Sequence, residues 1–388
     1  MGDRISHLPD AILCHILSFL TTKTAVQTSI LSRRWNPLWR SVPTLDFDDS
    51  FYAYNFNTNK ETYSRFVHSV HHFLRSRDSD HPIHTFRLRC WSSHCDATDV
   101  SDWVSNATRR RVEHLDLHLP HPIHMPPTVL TCKTLTVLKL IHLSVIAFPF
   151  VDFPSLKIMH LDGVDFVEHC HFAELLSASP NLEDLKARNL YFNSYEIEGK
   201  FKRLHKLVRA DVVKLDVPLE VVGNVEFLRI NWMDEEEEMV ESQGTSPDCK
   251  DPIPEFNNLT HIEFGYWEYT KDWAEVLKVM KHCPKLQILT IDKRNIEFFP
   301  EGDAGADWLY PQSVPTCISL HIKSCCLKNY KGSKGEFRFA RYIMRNARLL
   351  RTMTIYSNVY ANRREKLKMI KKLSSCTRRS ATCKLSFK

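Results

Sequence analysis

A short segment of the form apolar-x-x-apolar-x-apolar returns along the chain and limits its architecture more than any other feature. Copies begin at Val112 (V-E-H-L-D-L), Leu135 (L-T-V-L-K-L), Leu156 (L-K-I-M-H-L) and Leu182 (L-E-D-L-K-A), and again at Leu207 (L-V-R-A-D-V), Val225 (V-E-F-L-R-I), Leu259 (L-T-H-I-E-F) and Leu286 (L-Q-I-L-T-I). The steps between them are 23, 21, 26, 25, 18, 34 and 27 residues. Each copy alternates like a half-buried strand. Phe153-Pro-Ser-Leu, Ser179-Pro-Asn-Leu and Cys283-Pro-Lys-Leu announce three of them with a turn, and helical stretches at Phe172–Ser177 and Asp272–His282 precede two. Strand, return segment and turn, repeated at this spacing, stack into a solenoid in which each unit buries its apolar face against its neighbours.

The period is that of leucine-rich repeats. The Asn or Cys that usually follows the last apolar position by three residues is replaced by Leu143, Val164 and Leu190, so a regular asparagine ladder is not expected. The repeats are assigned to 112–307. Asp234-Glu-Glu-Glu-Glu238 and the Ser- and Pro-rich residues after it read as a solvated acidic loop over 234–256.

The first 40 residues follow a different period. Ile12, Leu13, Ile16, Leu17 and Leu20 form one apolar stripe of a helix that opens at Leu8-Pro-Asp. Ala25, Val26 and Ser29 mark a second short helix, and Ser32-Arg-Arg-Trp-Asn-Pro-Leu-Trp39 a third. So small a module cannot bury this much apolar surface by itself, and the surplus must face a partner or the rest of the chain. Residues 48–111 read as a linker and the entry to the repeats.

Beyond Trp308 the pattern changes once more. Cys317–Ile322, Arg351–Tyr356 and Thr382–Phe387 read as strands. The stripes Phe339, Tyr342, Ile343, Ala347 and Leu367, Ile370, Lys371, Leu373 read as helices, together with the strands a small α/β cap over 308–388. The net charge of +6 conceals an asymmetry, because residues 341–388 hold 14 Lys and Arg against the single acid Glu365, a balance of +13. The 340 residues before them carry a net −7.

With 43% hydrophobic and 25% charged residues over 388 positions, the chain has the makings of a packed core, which rules out wholesale disorder. The longest apolar run, Val145-Ile-Ala-Phe-Pro-Phe-Val151, is far below the roughly 20 residues of a membrane span, so no membrane partner is expected. The residues from Met1 to His7 have no apolar core of a secretory signal, and 12 cysteines are read as reduced thiols. Both features predict a soluble protein of the cytoplasm and/or nucleus.

The N-terminal stretch resembles an F-box. Leu8-Pro9-Asp10, Ile12-Leu13, Ile16-Leu17-Ser18-Phe19-Leu20, Ala25-Val26, Ser29, Leu31-Ser32-Arg33-Arg34-Trp35 and Leu38-Trp39 carry the likeness over residues 1–47, with Pro37 inside the third helix as a departure. The C-terminal stretch is similar to the FBD domain of plant F-box proteins through Trp308, Pro311, Val314-Pro315-x-Cys317, Leu320, Tyr330-x-Gly332, Ala340-x-Tyr342-Ile343, Asn346-Ala347, Leu349-Leu350, Met353-Thr354-Ile355, Arg378-x-Ser380, Cys383 and Phe387. With the repeats between them, nearly the whole chain resembles the plant F-box/FBD/leucine-rich-repeat family. The resemblance implies an α-helical F-box, an irregular leucine-rich-repeat solenoid and an α/β FBD cap. It further implies a non-catalytic, substrate-recognition subunit of a cullin-based SCF ubiquitin ligase. The F-box would dock on a Skp-type adaptor, and through it a cullin, while the repeats or FBD recruit a protein substrate for ubiquitination. By family pattern the adaptor-binding residues are Leu8, Pro9, Ile12, Leu13, Ile16, Leu17, Val26 and Trp35.

Other signals carry less. Cys90, His94, Cys95 and Glu168-His-Cys-His171 are dense in ligand types but lack the paired C-x-x-C or H-x-x-x-H spacing of zinc sites, so no metal is expected. His81-Pro-Ile-His84 and its echo His121-Pro-Ile-His124 read as proline turns. No Gly-rich phosphate loop, H-E-x-x-H or G-x-S-x-G occurs, so neither a catalytic residue nor a cofactor is assigned. One rival reading is a nucleic-acid-associated protein acting through the basic tail, against which its charges are interleaved with apolar residues at helix and strand periods. No nucleic-acid partner is therefore expected. Another rival is an F-box scaffold that binds its target without degrading it, and the sequence leaves that choice open.

Overall fold

A computed structural model describes residues 5, 7–50, 60–77, 81–146, 150–193, 201–214, 216–231, 253–267, 273–293 and 310–388. They belong to two compact units, Met1–Lys202 and Arg203–Lys388.

The first unit opens with helices α1 (Asp10–Leu17) and α2 (Thr22–Gln27), followed by two single 3-10 turns, Thr28–Ile30 and Leu38–Ser41. Strands and helices then alternate: β1 (Thr44–Asp48), α3 (Lys60–Ser76), β2 (Thr85–Arg89), α4 (Ala97–Arg109), β3 (His114–His124), α5 (Pro127–Leu130), β4 (Val137–Val145) and β5 (Ile158–Asp162). The unit ends with β6 (Asp165–Phe166), α6 (His169–Ser177), β7 (Asp184–Arg188) and β8 (Tyr191–Phe192). Strands β1, β2, β3, β4, β5 and β7 pair in parallel in that order.

The register puts like positions of the repeated segment side by side. Leu45, Phe86, Leu115, Leu138, Met159 and Leu185 form one inward row, and Phe47, Leu88, Leu117, Leu140, Leu161 and Ala187 the next, all buried. The first apolar position of each segment, from Val42 and Ile83 to Leu156 and Leu182, lies in the turn before its strand and is buried too. Each such side chain taken fully from water stabilises the stack by about 1.5–3 kcal/mol. Helices close the inner side: Phe73 of α3 meets Phe47 at 5.7 Å, and Phe66 meets Trp103 of α4 edge-on at 6.0 Å.

The turns lock this register. The Glu113 carbonyl accepts the N–H groups of Thr136 and Val137 at 2.8 and 3.1 Å, and the Thr136 carbonyl those of Lys157 and Ile158 at 2.9 and 3.1 Å. Asparagine also works at this turn: Asn181 Nδ2 donates to the Pro154 carbonyl at 2.6 Å.

The second unit repeats the plan with β9 (Arg209–Val213), β10 (Phe227–Asn231), β11 (His261–Trp267), α7 (Trp273–Lys281), β12 (Ile288–Lys293), α8 (Thr316–Leu320) and β13 (Ser324–Tyr330). It continues with α9 (Lys334–Asn346), β14 (Thr352–Ser357), α10 (Arg363–Ser374) and β15 (Lys384–Phe387). Its strands are again parallel and paired in chain order. Ala210, Leu228, Ile262, Leu289, Cys325 and Met353 make one buried row, and Val212, Ile230, Phe264, Ile291, Leu327 and Ile355 the second.

The repeated segment thus extends well beyond the eight expected copies. Val42-x-x-Leu45-x-Phe47, at the end of the segment 1–47, and Ile83-x-x-Phe86-x-Leu88, within the expected linker and entry to the repeats over 48–111, share it. Ile322-x-x-Cys325-x-Leu327 and Leu350-x-x-Met353-x-Ile355 share it as well, and Ile288 pairs with Ser324, so the strands of the C-terminal α/β segment prolong the ladder of the repeats. The unequal steps belong to the return segments, while the strands keep one register.

Two local expectations are corrected. Cys317–Ile322 is not a strand: α8 occupies it, because Pro315 lacks an N–H and has the backbone angle that opens a helix. The strand begins at Ser324. The third N-terminal helix is a run of turns with one 3-10 turn, since Pro37 removes a helical hydrogen bond and clashes with the preceding turn. The acidic stretch 234–238, most of the segment 48–61 and Trp308 lie outside the described residues. Among the described residues no helix is long and apolar enough to cross a membrane.

Candidate functional site

Helix α1 starts after Pro9, which needs no hydrogen-bond partner for the N–H it lacks. Asp10 in its first turn receives Arg34 Nη2 at 2.7 Å and Nε at 3.1 Å, and Arg34 also donates to the Leu8 carbonyl, so the turn after α2 is fastened to the start of α1. Thr21 caps α2 by accepting the Thr24 N–H at 3.3 Å. Between the helices lies a small core of Leu13, Leu17, Ala25, Trp35, Leu38 and Val42, flanked by the half-buried Leu8, Cys14 and Leu20. Burial, with Asp10 adding to it, raises the Cys14 thiol above its ordinary pKa. Two polar ties hold this module to the stack: Thr22 Oγ1 accepts the Asp46 N–H at 2.7 Å, and the buried Arg77 donates to the carbonyls of Val42 and Pro82.

That core is filled by only part of the apolar surface. Leu13 and Leu17, four residues apart, point inward, whereas Ile12 and Ile16, at the same spacing, are 46% and 40% exposed. Phe19 extends the outer row at 76% exposure, and Ile30 and Leu31 stand out at 87% and 65%. The single stripe read from the sequence is therefore two adjoining stripes of opposite destination. Several large apolar side chains left exposed on so small a module mark an interaction site.

The eight residues of the expected adaptor face divide accordingly. Ile12, Ile16 and Pro9 are exposed, Leu8 and Val26 are half-buried, and Leu13, Leu17 and Trp35 belong to the interior. Phe19, Ile30 and Leu31 were not among them. For Phe19 the signal was present, since it lies seven residues past Ile12 and three past Ile16, on one helical face.

A second surface is the open side of the strands. In the first unit Arg87 lies between Asp46 and Asp116, at 3.5 and 3.8 Å, and Lys186 Nζ is 3.1 Å from Asp162 Oδ2. In the second, Lys328 Nζ lies 3.2 Å from Glu263 and 3.7 Å from Asp292, and Arg229 pairs with Glu263 at 3.5 Å. These pairs are half-buried and line the open side of each unit. They present a charge-balanced surface with many hydrogen-bonding groups.

Among the described residues the set nearest to a metal site is Glu168, Cys170 and His171, with ligand atoms all within 4.8 Å of one another. Burial and the Glu168 carboxylate hold the Cys170 thiol above its ordinary pKa, and the group sits at the positive end of α6. The helix dipole disfavours a cation there.

Three family models match the chain: the F-box domain over residues 5–47, the leucine-rich repeats of the FBD-associated F-box protein At5g56370 over 100–222, and FBD over 310–355. An FBD-associated F-box protein of Arabidopsis thaliana, At5g56440, is 30% identical, across 99% of this chain and 100% of the relative. The chain belongs to the F-box/FBD/LRR-repeat family. Two further Arabidopsis thaliana relatives, the F-box/FBD/LRR-repeat proteins At1g51370 and At4g00160, are each 29% identical, across 98% and 100% of this chain and 95% and 94% of their own lengths. The apolar patch of Ile12, Ile16, Phe19, Ile30 and Leu31 is thus on the F-box, and an F-box in general binds a Skp-type adaptor.

Proposed function

We propose that this chain is the substrate-recognition subunit of an SCF ubiquitin ligase, working in the cytoplasm and/or nucleus. The F-box docks on a Skp-type adaptor, which links it to a cullin, while the repeats and FBD hold a protein target. Such a subunit has no need of catalytic groups, because it raises the effective concentration of the target near a tethered conjugating enzyme. The observation that carries the reading is the outer row Ile12, Ile16 and Phe19 beside a core already complete with Leu13 and Leu17. Of the family-pattern residues, Ile12, Ile16, Pro9, Leu8 and Val26 are assigned to adaptor contact, and Leu13, Leu17 and Trp35 to shaping the module beneath it.

The test is a pull-down of purified Skp-type adaptor by the full chain, beside an Ile16→Asp/Phe19→Asp variant and a Leu8→Ala/Pro9→Ala variant. Binding by the parent, its loss in the first variant, and unchanged circular dichroism are expected. A folded parent that does not bind the adaptor overturns the reading.

A further inference from the structure

Residues 341–388 carry 14 Lys and Arg and one acid, Glu365. That acid is already engaged. Its Oε2 accepts the Asn362 N–H at 2.9 Å while Asn362 Oδ1 accepts the Glu365 N–H at 3.0 Å, a reciprocal cap on α10. Arg341, Arg345 and Arg348 on and just after α9, and Arg363, Arg364, Lys368 and Lys371 on α10, are exposed. Among the described residues none of these seven has a carboxylate within 4.0 Å.

Burial raises the Cys376 thiol, and the charges of Arg341, Arg378, Lys372 and Arg345, from α9, α10 and the loop after α10, act against it. Lys372 Nζ also lies 4.2 Å over the Phe337 ring of α9, which fixes the two helices side by side.

An ordinary solvated helix face is built otherwise. Arg341 and Arg345, or Arg364 and Lys368, are like charges four residues apart, an arrangement that destabilises a helix. Arg363 and Arg364 occupy the first turn of α10, where the helix dipole disfavours cations. On the open side of the same unit, by contrast, Lys328 and Arg229 have carboxylates beside them. Local rules broken together in one place mark a surface kept for binding.

Apolar side chains stand within the basic field. Leu367, 50% exposed, is one helical turn from Arg363, Arg364 and Lys371, and Leu349, 49% exposed, follows Arg348. We propose that the outer face of α9 and α10 docks an acidic protein segment that carries apolar residues. Arginine forks pair bidentately with carboxylates, and the leucines take the partner's apolar side chains out of water. A nucleic acid is the poorer fit: a phosphate backbone gains nothing from Leu349 or Leu367. The rings of α9 are also not free for base stacking, since Phe339 and Tyr342 are buried and Phe337 is covered by Lys372. The inference is independent of adaptor docking.

Three fluorescent probes decide it by anisotropy with the full chain: an alternating Glu-Leu peptide, a Glu-Ser peptide of equal length and charge, and a short DNA duplex. The Glu-Leu peptide is expected to bind most tightly. Arg341→Ala/Arg345→Ala is expected to weaken it about tenfold. Leu367→Ser should weaken it while leaving Glu-Ser binding unchanged, and circular dichroism should be the same throughout. Arg364→Ala/Lys368→Ala, on the exposed face of α10, repeats the charge test should the α9 variant unfold. Tightest binding of the duplex, with a steep salt dependence, overturns the proposal in favour of nucleic acid. Equal binding of the two peptides with a silent Leu367→Ser, or binding of no probe, overturns it in favour of a merely charged surface.

Discussion

Lys293 Nζ stands 3.0 Å from Glu336 Oε1, with the two side chains 7% and 2% exposed, and so joins β12 to helix α9 of the FBD. Glu336 has further work: its Oε2 accepts the N–H groups of Lys331, Gly332 and Ser333 at 3.1, 2.7 and 3.0 Å. Lys293 lies 4.8 Å over the ring of Trp273, which stacks on Phe339 at 4.4 Å. The partners are therefore unequal. Glu336→Ala leaves a buried ammonium beside aromatic rings and is expected to cost about 3–5 kcal/mol. Lys293→Met leaves a carboxylate that keeps its three N–H donors and is expected to cost distinctly less. Urea unfolding followed by tryptophan fluorescence measures both, and equal losses would contradict the asymmetry.

In the F-box, neighbouring residues are expected to report on different properties. Leu17 is buried and Ile16 is 40% exposed. Leu17→Ala opens a cavity and should lower stability by about 2–5 kcal/mol. Ile16→Ala should stay within about 0.5 kcal/mol of the parent in thermal melts. In calorimetric titration with the adaptor it should nevertheless lose affinity. Matching effects of the two substitutions in both assays would show that α1 has no such division.

Why part of this was legible beforehand, and part not, follows from the same residues. The repeated segment was readable wherever its three positions were aliphatic and evenly spaced, as at Leu135, Leu138 and Leu140. It was missed at Val42, Leu45 and Phe47 because α3 and the residues around it separate this copy from Ile83 by 41 positions. It was missed at Ile322, Cys325 and Leu327 because a cysteine serves as the middle rung, buried like a small hydrophobe. Which of the two rows of α1 is left exposed was beyond periodicity. Ile12 and Ile16, and Leu13 and Leu17, obey one spacing, and only the position of Trp35 and Leu38 against α1 decides which pair is covered.

Gly163, between β5 and β6, is favoured on two counts. Its φ of +64° lies in the left-handed region, and a Cβ there would stand 2.5 Å from Cδ2 of His142, whose Nδ1 is 3.0 Å from the Leu119 carbonyl oxygen. Gly163→Ala is expected to destabilise by more than about 1 kcal/mol. Adding His142→Ala should recover the part due to the clash and leave the backbone strain. Thermal melts of the single and double variants separate the two, and a single variant as stable as the parent would refute both.

Asp216 gives the fold a pH dependence of definite sign. It follows β9, its N–H donates to the Val213 carbonyl at 3.1 Å, and loss of solvation on burial pushes its carboxyl up to about 7 from an ordinary 3.8. The folded chain thus holds this proton more tightly than the unfolded chain. Its contribution to stability is fully present below the unfolded pKa and is lost as pH rises through the folded one, between about 4 and 7. Asp216→Asn keeps the shape of the neutral acid and cannot ionise. The variant is expected to melt above the parent at pH 8, and the gap should close as the pH approaches 4. Melting curves across that range check it: a parent more stable than the variant at pH 8, or a gap independent of pH, would show that Asp216 is not protonated in the fold near neutrality.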